Sequence, residues 1–186
     1  IIFGPGLINC SSKVMSKILI NIKKPLILDA SGFKPIIDGH IKISDLPKKT
    51  ILTPHYYEFS KLFNININDF YLDPVYYIKS TISILNGRTL LLKGPTTIIV
   101  TSNSKIFFIN NGHSNLATAG TGDVLTGIIG ALFPKLKSID DAAILGAYIH
   151  NFSSTLFTEV YQHDGLTASK LIEILPRAME SVRNVH

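Results

Sequence analysis

Short apolar runs alternate with helix-patterned stretches over the first half of the chain. Ile1-Ile2-Phe3, Pro25-Leu26-Ile27-Leu28, Thr50-Ile51-Leu52 and Thr89-Leu90-Leu91-Leu92 are each continuous in hydrophobicity and each run into turn residues. A strand with one wet face alternates apolar and polar residues, so continuous runs suit strands buried on both faces, as in a parallel sheet covered by helices. Between them the spacing predicts helices at Ser11–Asn21, Glu58–Phe63 and Asp73–Asn86, the last with apolar Val75, Ile78, Ile82 and Leu85. The order is βαβ. Thr97–Thr101 and Lys105–Ile109 flank Ser102-Asn103-Ser104 and predict a hairpin that closes the sheet. Helices then dominate, at Asp123–Phe133 with Pro134 as its stop, at Ile139–Phe157 behind a capped start at Ser138, and at Thr167–Val182. The expected class is α/β, one domain over 1–186 with a largely parallel sheet, whose ligands lie beyond the carboxyl ends of the strands.

Composition narrows the function classes. With 46% hydrophobic and 17% charged residues, a chain of this length buries enough apolar surface to offset its ordering entropy, which excludes disorder. The longest stretches without Asp, Glu, Lys or Arg, 106–122 and 142–158, contain Asn, His and Ser, so no membrane-spanning helix is expected. The net charge of +5 divides unevenly: residues 1–105 carry 13 basic and 6 acidic side chains (+7), residues 106–186 carry 5 and 7 (−2). Basic residues nowhere run longer than the pairs Lys23-Lys24 and Lys48-Lys49, which reads as a solvated lysine surface and not a nucleic-acid footprint. The single cysteine, Cys10, forms no intramolecular disulfide and no thiolate cluster, which fits a reducing cytoplasm.

The segment richest in chemistry is Leu116-Ala117-Thr118-Ala119-Gly120-Thr121-Gly122-Asp123-Val124-Leu125-Thr126-Gly127. Gly120 and Gly122 let an anionic group approach the main chain, and the helix that follows offers unpaired N–H donors with a partial positive charge. Asp123 stands at that terminus as a carboxylate able to accept a hydroxyl proton while the amides hold developing phosphate charge. On its own, Gly-Thr-Gly-Asp also reads as a tight turn with an acid at a helix start. It is neither a Walker A loop nor a GxGxxG fingerprint.

Several segments agree in order with one family. Gly4-Pro5-Gly6-Leu7 is similar to GPGLG, Leu28-Asp29-Ala30 to VLDA, Leu52-Thr53-Pro54-His55-Tyr56-Tyr57-Glu58 to LTPHxGE, Leu92-Lys93-Gly94-Pro95-Thr96-Thr97 to LKGxxT, and Leu116–Gly127 to LATxGTGDVLxG. From Ile1 to about Met179 the chain resembles the NAD(P)H-hydrate dehydratases, carbohydrate-kinase-like members of the ribokinase-like superfamily. The resemblance implies a three-layer domain with a largely parallel central sheet, here without its opening elements, so that the chain is expected to be the C-terminal part. It implies nucleotide-dependent phosphorylation of the hydrates NADHX and NADPHX followed by elimination, with ADP or ATP as cosubstrate. Lys93, Gly94, Pro95, Thr96, Thr97 and Gly122 are expected to contact the nucleotide; Gly6, His55 and Asp123 the hydrate, with Asp123 as base. Mg2+ is expected with the phosphates but no protein ligands for it can be assigned, and a homo-oligomer is expected.

Each of these residues has a plainer reading. Lys93-Gly94-Pro95 alone is an ordinary turn after a strand, and His55 alone is a helix-start residue; Glu58 reads as a helix stabiliser, His150 and Asn151 as packing residues. The chain departs from the family pattern at Ile8, where the last glycine of GPGLG stands, at Tyr57 in place of the glycine of LTPHxGE, and at Lys170 in place of an acid. Two alternatives fit the same segments: a vitamin-precursor kinase of the same superfamily, which often carries cysteine and asparagine at the places of Asp123 and His55, and a catalytically silent nucleotide-binding or structural protein.

Overall fold

A computed structural model describes residues 1–162 and 165–183; the remainder of the 1–186 span lies outside the described residues. The chain forms two compact units, the first made of Ile1–Gly94 and Ile98–Phe107, the second of Pro95–Thr97 and the residues from Phe108 onward.

The strands of one sheet run in the order β1 (Ile2–Phe3), β2 (Leu26–Leu28), β3 (Thr50–Leu52), β4 (Thr89–Leu92), β5 (Thr97–Val100) and β6 (Ile106–Ile109). The first four are parallel neighbours, with Phe3 beside Leu28, Leu28 beside Leu52 and Leu52 beside Leu90; β5 returns antiparallel, with Leu91 beside Ile99. Every residue of β2, β3 and β4 is buried, as their unbroken hydrophobicity predicted, and so is every residue of β5; the run at β1, read in the same way, is not buried. A tight turn, in which Lys105 N donates to Thr101 Oγ1 and Ser104 N to Thr101 O, leads from β5 to β6. The outer strands differ from the inner ones: Ile2 is exposed in β1, and Phe107 and Phe108 are exposed in β6.

Helices of the first unit are α1 (Ser12–Leu19), α2 (Lys34–Ile37), α3 (Tyr56–Phe63), α4 (Ile67–Leu72) and α5 (Pro74–Leu85). Their starts follow capping chemistry: Ser11 accepts from Val14 N, Asn66 from Asn68 N and Asp73 from Tyr76 N. Asn64 and Asn86 end α3 and α5 in the left-handed region, where asparagine is tolerated better than most residues. One cluster joins Leu28, Leu52, Leu90, Leu92, Ile98 and Val100 of the strands to Phe33, Phe59, Phe70, Ile78 and Leu85. The sequence pattern contains no expectation of α2 or α4, because helices of one turn or so give too few positions for a 3.6-residue period to appear.

In the second unit stand α6 (Thr121–Leu136), α7 (Ile139–Tyr161) and α8 (Ala168–Arg183). Pro134 does not end α6. Proline's φ is itself helical; its missing N–H and its ring disturb the bond to the carbonyl four residues back without stopping the helix, which runs two residues further and closes with Lys137 N donating to Phe133 O at 2.8 Å. Gly146 lets α7 approach α6 closely, since a Cβ there would lie 2.7 Å from Ile129 Cγ1. Leu156, Phe157, Leu166, Leu171, Ile174 and Ala178 form the core that joins α7 to α8. No helix among the described residues is long and apolar enough to cross a membrane.

Arg88 is the largest of the fully buried side chains. Its guanidinium donates to the carbonyls of Ser44, Leu46 and Asn86 and so fixes the segment before β3. Burial lowers its pKa from the usual guanidinium value, and the charge of Asp45 partly offsets this. Arg88→Met should lower stability by about 2–4 kcal/mol, because buried carbonyls are left unpaired at about 1–3 kcal/mol each. Urea denaturation checks this, and an unchanged midpoint would mean that water takes over the carbonyls.

Candidate functional site

The candidate residues fall into two sets, one in each unit. In the first unit the parallel strands all end toward one rim, and each is followed by a motif residue. Gly4 follows β1, Asp29 follows β2, Thr53-Pro54-His55 follows β3 and Lys93 follows β4. Main-chain bonds continue the ladder past the strands: Asp29 N donates to Phe3 O, Thr53 N to Leu28 O and Lys93 N to Pro54 O. At Gly4, with φ at +123°, an added Cβ would lie 1.7 Å from Asp29 O. Only glycine lets these two loops touch.

Lys93 Nζ lies 2.7 Å from Asp29 Oδ1, and the Asp29 side chain is only 2% exposed. The ammonium has three N–H donors, so one is committed to Asp29 and two remain for an anion. Gly94 is a steric requirement: a Cβ there would lie 2.3 Å from Cζ of Tyr56. The Tyr56 ring is held by edge contacts with Phe70 and Tyr71, and burial, with Tyr71 second, raises its pKa. His55 caps α3. Its Nδ1 accepts from Glu58 N at 3.3 Å, and the Glu58 carboxylate accepts from His55 N at 2.9 Å, a reciprocal capping box. An accepting Nδ1 puts the proton of the neutral ring on Nε2, which lies 3.5 Å from Glu58 Oε2 on a side chain 52% exposed. Gly6 is exposed in a turn closed by Leu7 N and Gly4 O, with φ at +74°.

In the second unit, Gly120 is the N-cap of α6 with φ at +87°. Thr121 seals the turn before it, its hydroxyl 2.8 Å from both Leu116 O and Thr118 O. The first amide to make an ordinary helical bond is that of Val124, which donates to Gly120 O. The amides of Gly122 and Asp123 therefore have no main-chain acceptor among the described residues, and they open on the same turn as the exposed Asp123 side chain. A groove of about 570 Å³ begins at Gly120, Asp123 and Ala168 and continues between α6 and α8 past Val124, Ile128 and Ile172. Its wall is largely apolar. No group of three or more His, Cys, Asp and Glu side chains suited to a metal ion occurs among the described residues.

The residues expected from the sequence thus lie at strand and helix ends, and the structure adds roles that the sequence did not assign to Asp29 and to the pair His150-Asn151. Asp29 meets Lys93 only because β2 and β4 are both neighbours of β3 in the sheet. His150 and Asn151, read as packing residues, are buried and bonded to the motif segments themselves. His150 Nε2 lies 2.9 Å from Thr121 O, and Asn151 Nδ2 lies 3.4 Å from Thr97 Oγ1. The signal available in the sequence was an adjacent His-Asn pair directly after the uncharged, mostly apolar run 142–149 of the helix.

Comparison with known proteins places the chain in one family. A family profile described as NAD(P)H-hydrate dehydratase matches residues 1–177. An ADP-dependent (S)-NAD(P)H-hydrate dehydratase of Neisseria meningitidis is 33% identical over 159 residues, which cover 83% of this chain and 52% of the relative. A bifunctional NAD(P)H-hydrate repair enzyme of Thermofilum pendens is 29% identical, over 97% of this chain and 34% of the relative. Among solved structures, an ADP/ATP-dependent NAD(P)H-hydrate dehydratase of Bacillus subtilis, co-crystallised with ATP and Mg2+ and soaked with CoA, superposes with a TM-score of 0.82 at 27% identity, covering 97% of this chain and 65% of that one. The chain therefore spans about a third to two-thirds of the length of these relatives. The α/β fold with a largely parallel sheet is of the ribokinase-like class that the sequence led us to expect.

Lys93→Met leaves the Asp29 carboxylate buried without its counter-charge. It should cost about 3–5 kcal/mol, the range for breaking a buried pair from one side. The double variant Asp29→Asn/Lys93→Met should recover a large part of that loss. Chemical denaturation of the two single variants and the double variant measures the coupling, and simple additivity would show that the two groups stabilise the fold independently.

Proposed function

The chain belongs to the NAD(P)H-hydrate dehydratase family, and on that premise we propose that it takes part in nucleotide-dependent dehydration of hydrated NADH and NADPH, with residues 1–186 belonging to a dehydratase domain. The observation that carries the reading is the first turn of α6, where two unpaired amides and a carboxylate occupy consecutive residues, Gly122 and Asp123. Such a turn does two tasks at once. The Asp123 carboxylate takes the proton from the hydrate's hydroxyl, and that oxygen attacks the terminal phosphorus of ADP or ATP; the bridging P–O bond breaks and AMP or ADP leaves. The amides and the positive end of the helix dipole hold the negative charge that develops on the phosphoryl oxygens. Phosphate is a better leaving group than hydroxide; electron release from the ring nitrogen breaks the carbon–oxygen bond, a ring proton is lost, and the reduced nicotinamide is restored.

In this reading the segment Lys93–Thr97 and Gly122 contact the nucleotide, and Gly6 and His55 the hydrate. Lys93 supplies positive charge from an ammonium that Asp29 orients. His55 offers its Nε2–H as a donor, because Nδ1 is taken up by the helix cap. Mg2+ enters as part of the nucleotide, on its phosphates, since such ions keep most of their water and need few protein ligands. The groove that begins at Asp123 has a largely apolar wall. The partners are small molecules, the assembly a homo-oligomer and the compartment a reducing cytoplasm; the lone Cys10 supports the last.

The test is incubation with hydrated NADH plus ADP or ATP, followed by the recovery of reduced-nicotinamide absorbance. Recovery that depends on nucleotide is expected. Its absence with both nucleotides, in a folded preparation that binds them, would sink the reading.

Two variants separate the two tasks of the turn. Asp123→Asn should lower turnover about 10²–10⁴-fold, the usual contribution of a positioned base, and leave nucleotide affinity largely unchanged in calorimetric titration. Gly122→Val should weaken nucleotide binding, because a β-branched side chain keeps the phosphate away from the amide. Unchanged affinity in a folded Gly122→Val protein would reduce the turn to a structural role.

A further inference from the structure

The buried pair His150-Asn151 on α7 is not used by the chemistry proposed above, yet both side chains reach segments that this chemistry needs. We infer that His150 is a positioning residue for phosphoryl transfer: it holds and polarises the Thr121–Gly122 peptide, so that the Gly122 N–H is a fixed and stronger donor to the phosphate. The inference rests on the reading of Gly122 as a phosphate contact.

His150 is 6% exposed, and its Nε2 lies 2.9 Å from Thr121 O. A carbonyl oxygen only accepts, so Nε2 carries the hydrogen and donates it. Thr121 O and the Gly122 N–H belong to one planar peptide unit and cannot rotate independently. A donor that fixes the carbonyl therefore fixes the amide on the opposite side, which is one of the two that lack a main-chain acceptor. Hydrogen bonds in series also polarise one another, by about 10–30% per bond, so a bond to the carbonyl makes the amide a better donor. Electrostatic stabilisation of a transferring phosphoryl group depends on donors that are already oriented before reaction.

The bond is not needed to satisfy the carbonyl. Thr121 is the first residue of α6, and its carbonyl already accepts from the helix's own ladder. A carbonyl oxygen has a second lone pair, which His150 occupies. The neighbouring Asn151 does the corresponding work one segment away. Its Nδ2 donates to the hydroxyl of Thr97, the last residue of the segment Lys93–Thr97, at 3.4 Å, and Gly112 leaves room for its Cβ and Cγ, which would both lie 3.2 Å from a Cβ at that position. One rigid 23-residue helix thus holds two pieces of the nucleotide contact in fixed register.

Three proteins test this: the unmutated chain, His150→Phe, which fills the space without a donor, and His150→Gln, whose side-chain amide donates from a similar reach. The first readout is the amide proton and nitrogen shift of Gly122 in the ligand-free protein by NMR. The second is kcat and KM for nucleotide in hydrate repair. His150→Phe should shift the Gly122 amide proton upfield and lower kcat about tenfold or more, with nucleotide KM changed less; complete loss of one such donor costs about 10²–10³-fold in kcat. His150→Gln should restore the shift and most of kcat. A folded His150→Phe with unchanged Gly122 shift overturns the inference, and so does a folded His150→Gln as impaired as the phenylalanine variant, since ring packing would then be the role. If His150→Phe does not fold, the glutamine variant decides alone: retention of the shift and of kcat supports the inference, loss of either overturns it. If the unmutated chain lacks repair activity, the dehydratase reading fails and the Gly122 shift still decides whether His150 controls the peptide.

Discussion

In a parallel ladder every strand leaves the sheet at the same rim, so the residues that follow neighbouring strands must share that rim whatever their distance in sequence. This constraint organises the first unit. β1 to β4 are four short strands in continuous parallel register, and Gly4, Asp29, His55 and Lys93 are the residues that follow them. The rim is crowded: Gly4 lies against the Asp29 carbonyl, Lys93 reaches across to the Asp29 carboxylate, and Gly94 makes room for Tyr56. Glycine at the close approaches and one buried ion pair are what such convergence requires.

The second unit solves a different problem. A helix start is useful to an anion only if its free amides stay where they are, and a glycine-rich turn has little stiffness of its own. Here stiffness comes from hydrogen bonds made by neighbouring groups: the Thr121 hydroxyl to Leu116 O and Thr118 O, Asn115 to Thr158, His113 N to Ser154 and His150 to Thr121 O. Most of these come from α7. Small hydroxyl residues along that helix, Ser153, Ser154, Thr155 and Thr158, occupy positions where a purely packing helix would carry apolar side chains.

The three departures from the family pattern fall in places that tolerate them. Ile8 is 72% exposed. Tyr57 is exposed as well, its ring stacked at 6.5 Å from that of His55 and approached by the Lys61 ammonium at 5.2 Å. Tyr57 thereby restricts the imidazole that is proposed to touch the hydrate. Lys170 donates to Gly165 O and lies over the Phe157 ring, so its stem packs on an apolar surface and its charge is satisfied locally.

Hydrophobic continuity is a local property, and it located β3 and β4 to the residue; the cap at Ser138 did the same for the start of α7, while α1 and α5 begin one residue after the expected Ser11 and Asp73, which are their N-caps. Gly-Thr-Gly-Asp before an apolar helix was likewise legible, because a helix start, its free amides and an adjacent acid are all consequences of neighbouring residues. Other features are decided by contacts between distant residues. Pro134 had to be placed in a helix before its cost could be seen to be one bond, and the short helices α2 and α4 exist through packing and not through periodicity. The Asp29–Lys93 pair spans 64 residues and His150–Thr121 spans 29; neither separation carries a period or motif. A side chain's partner is set by which elements pack together, so the sequence by itself determined which groups the protein offers, and only the tertiary structure decided which of them hold the others in place.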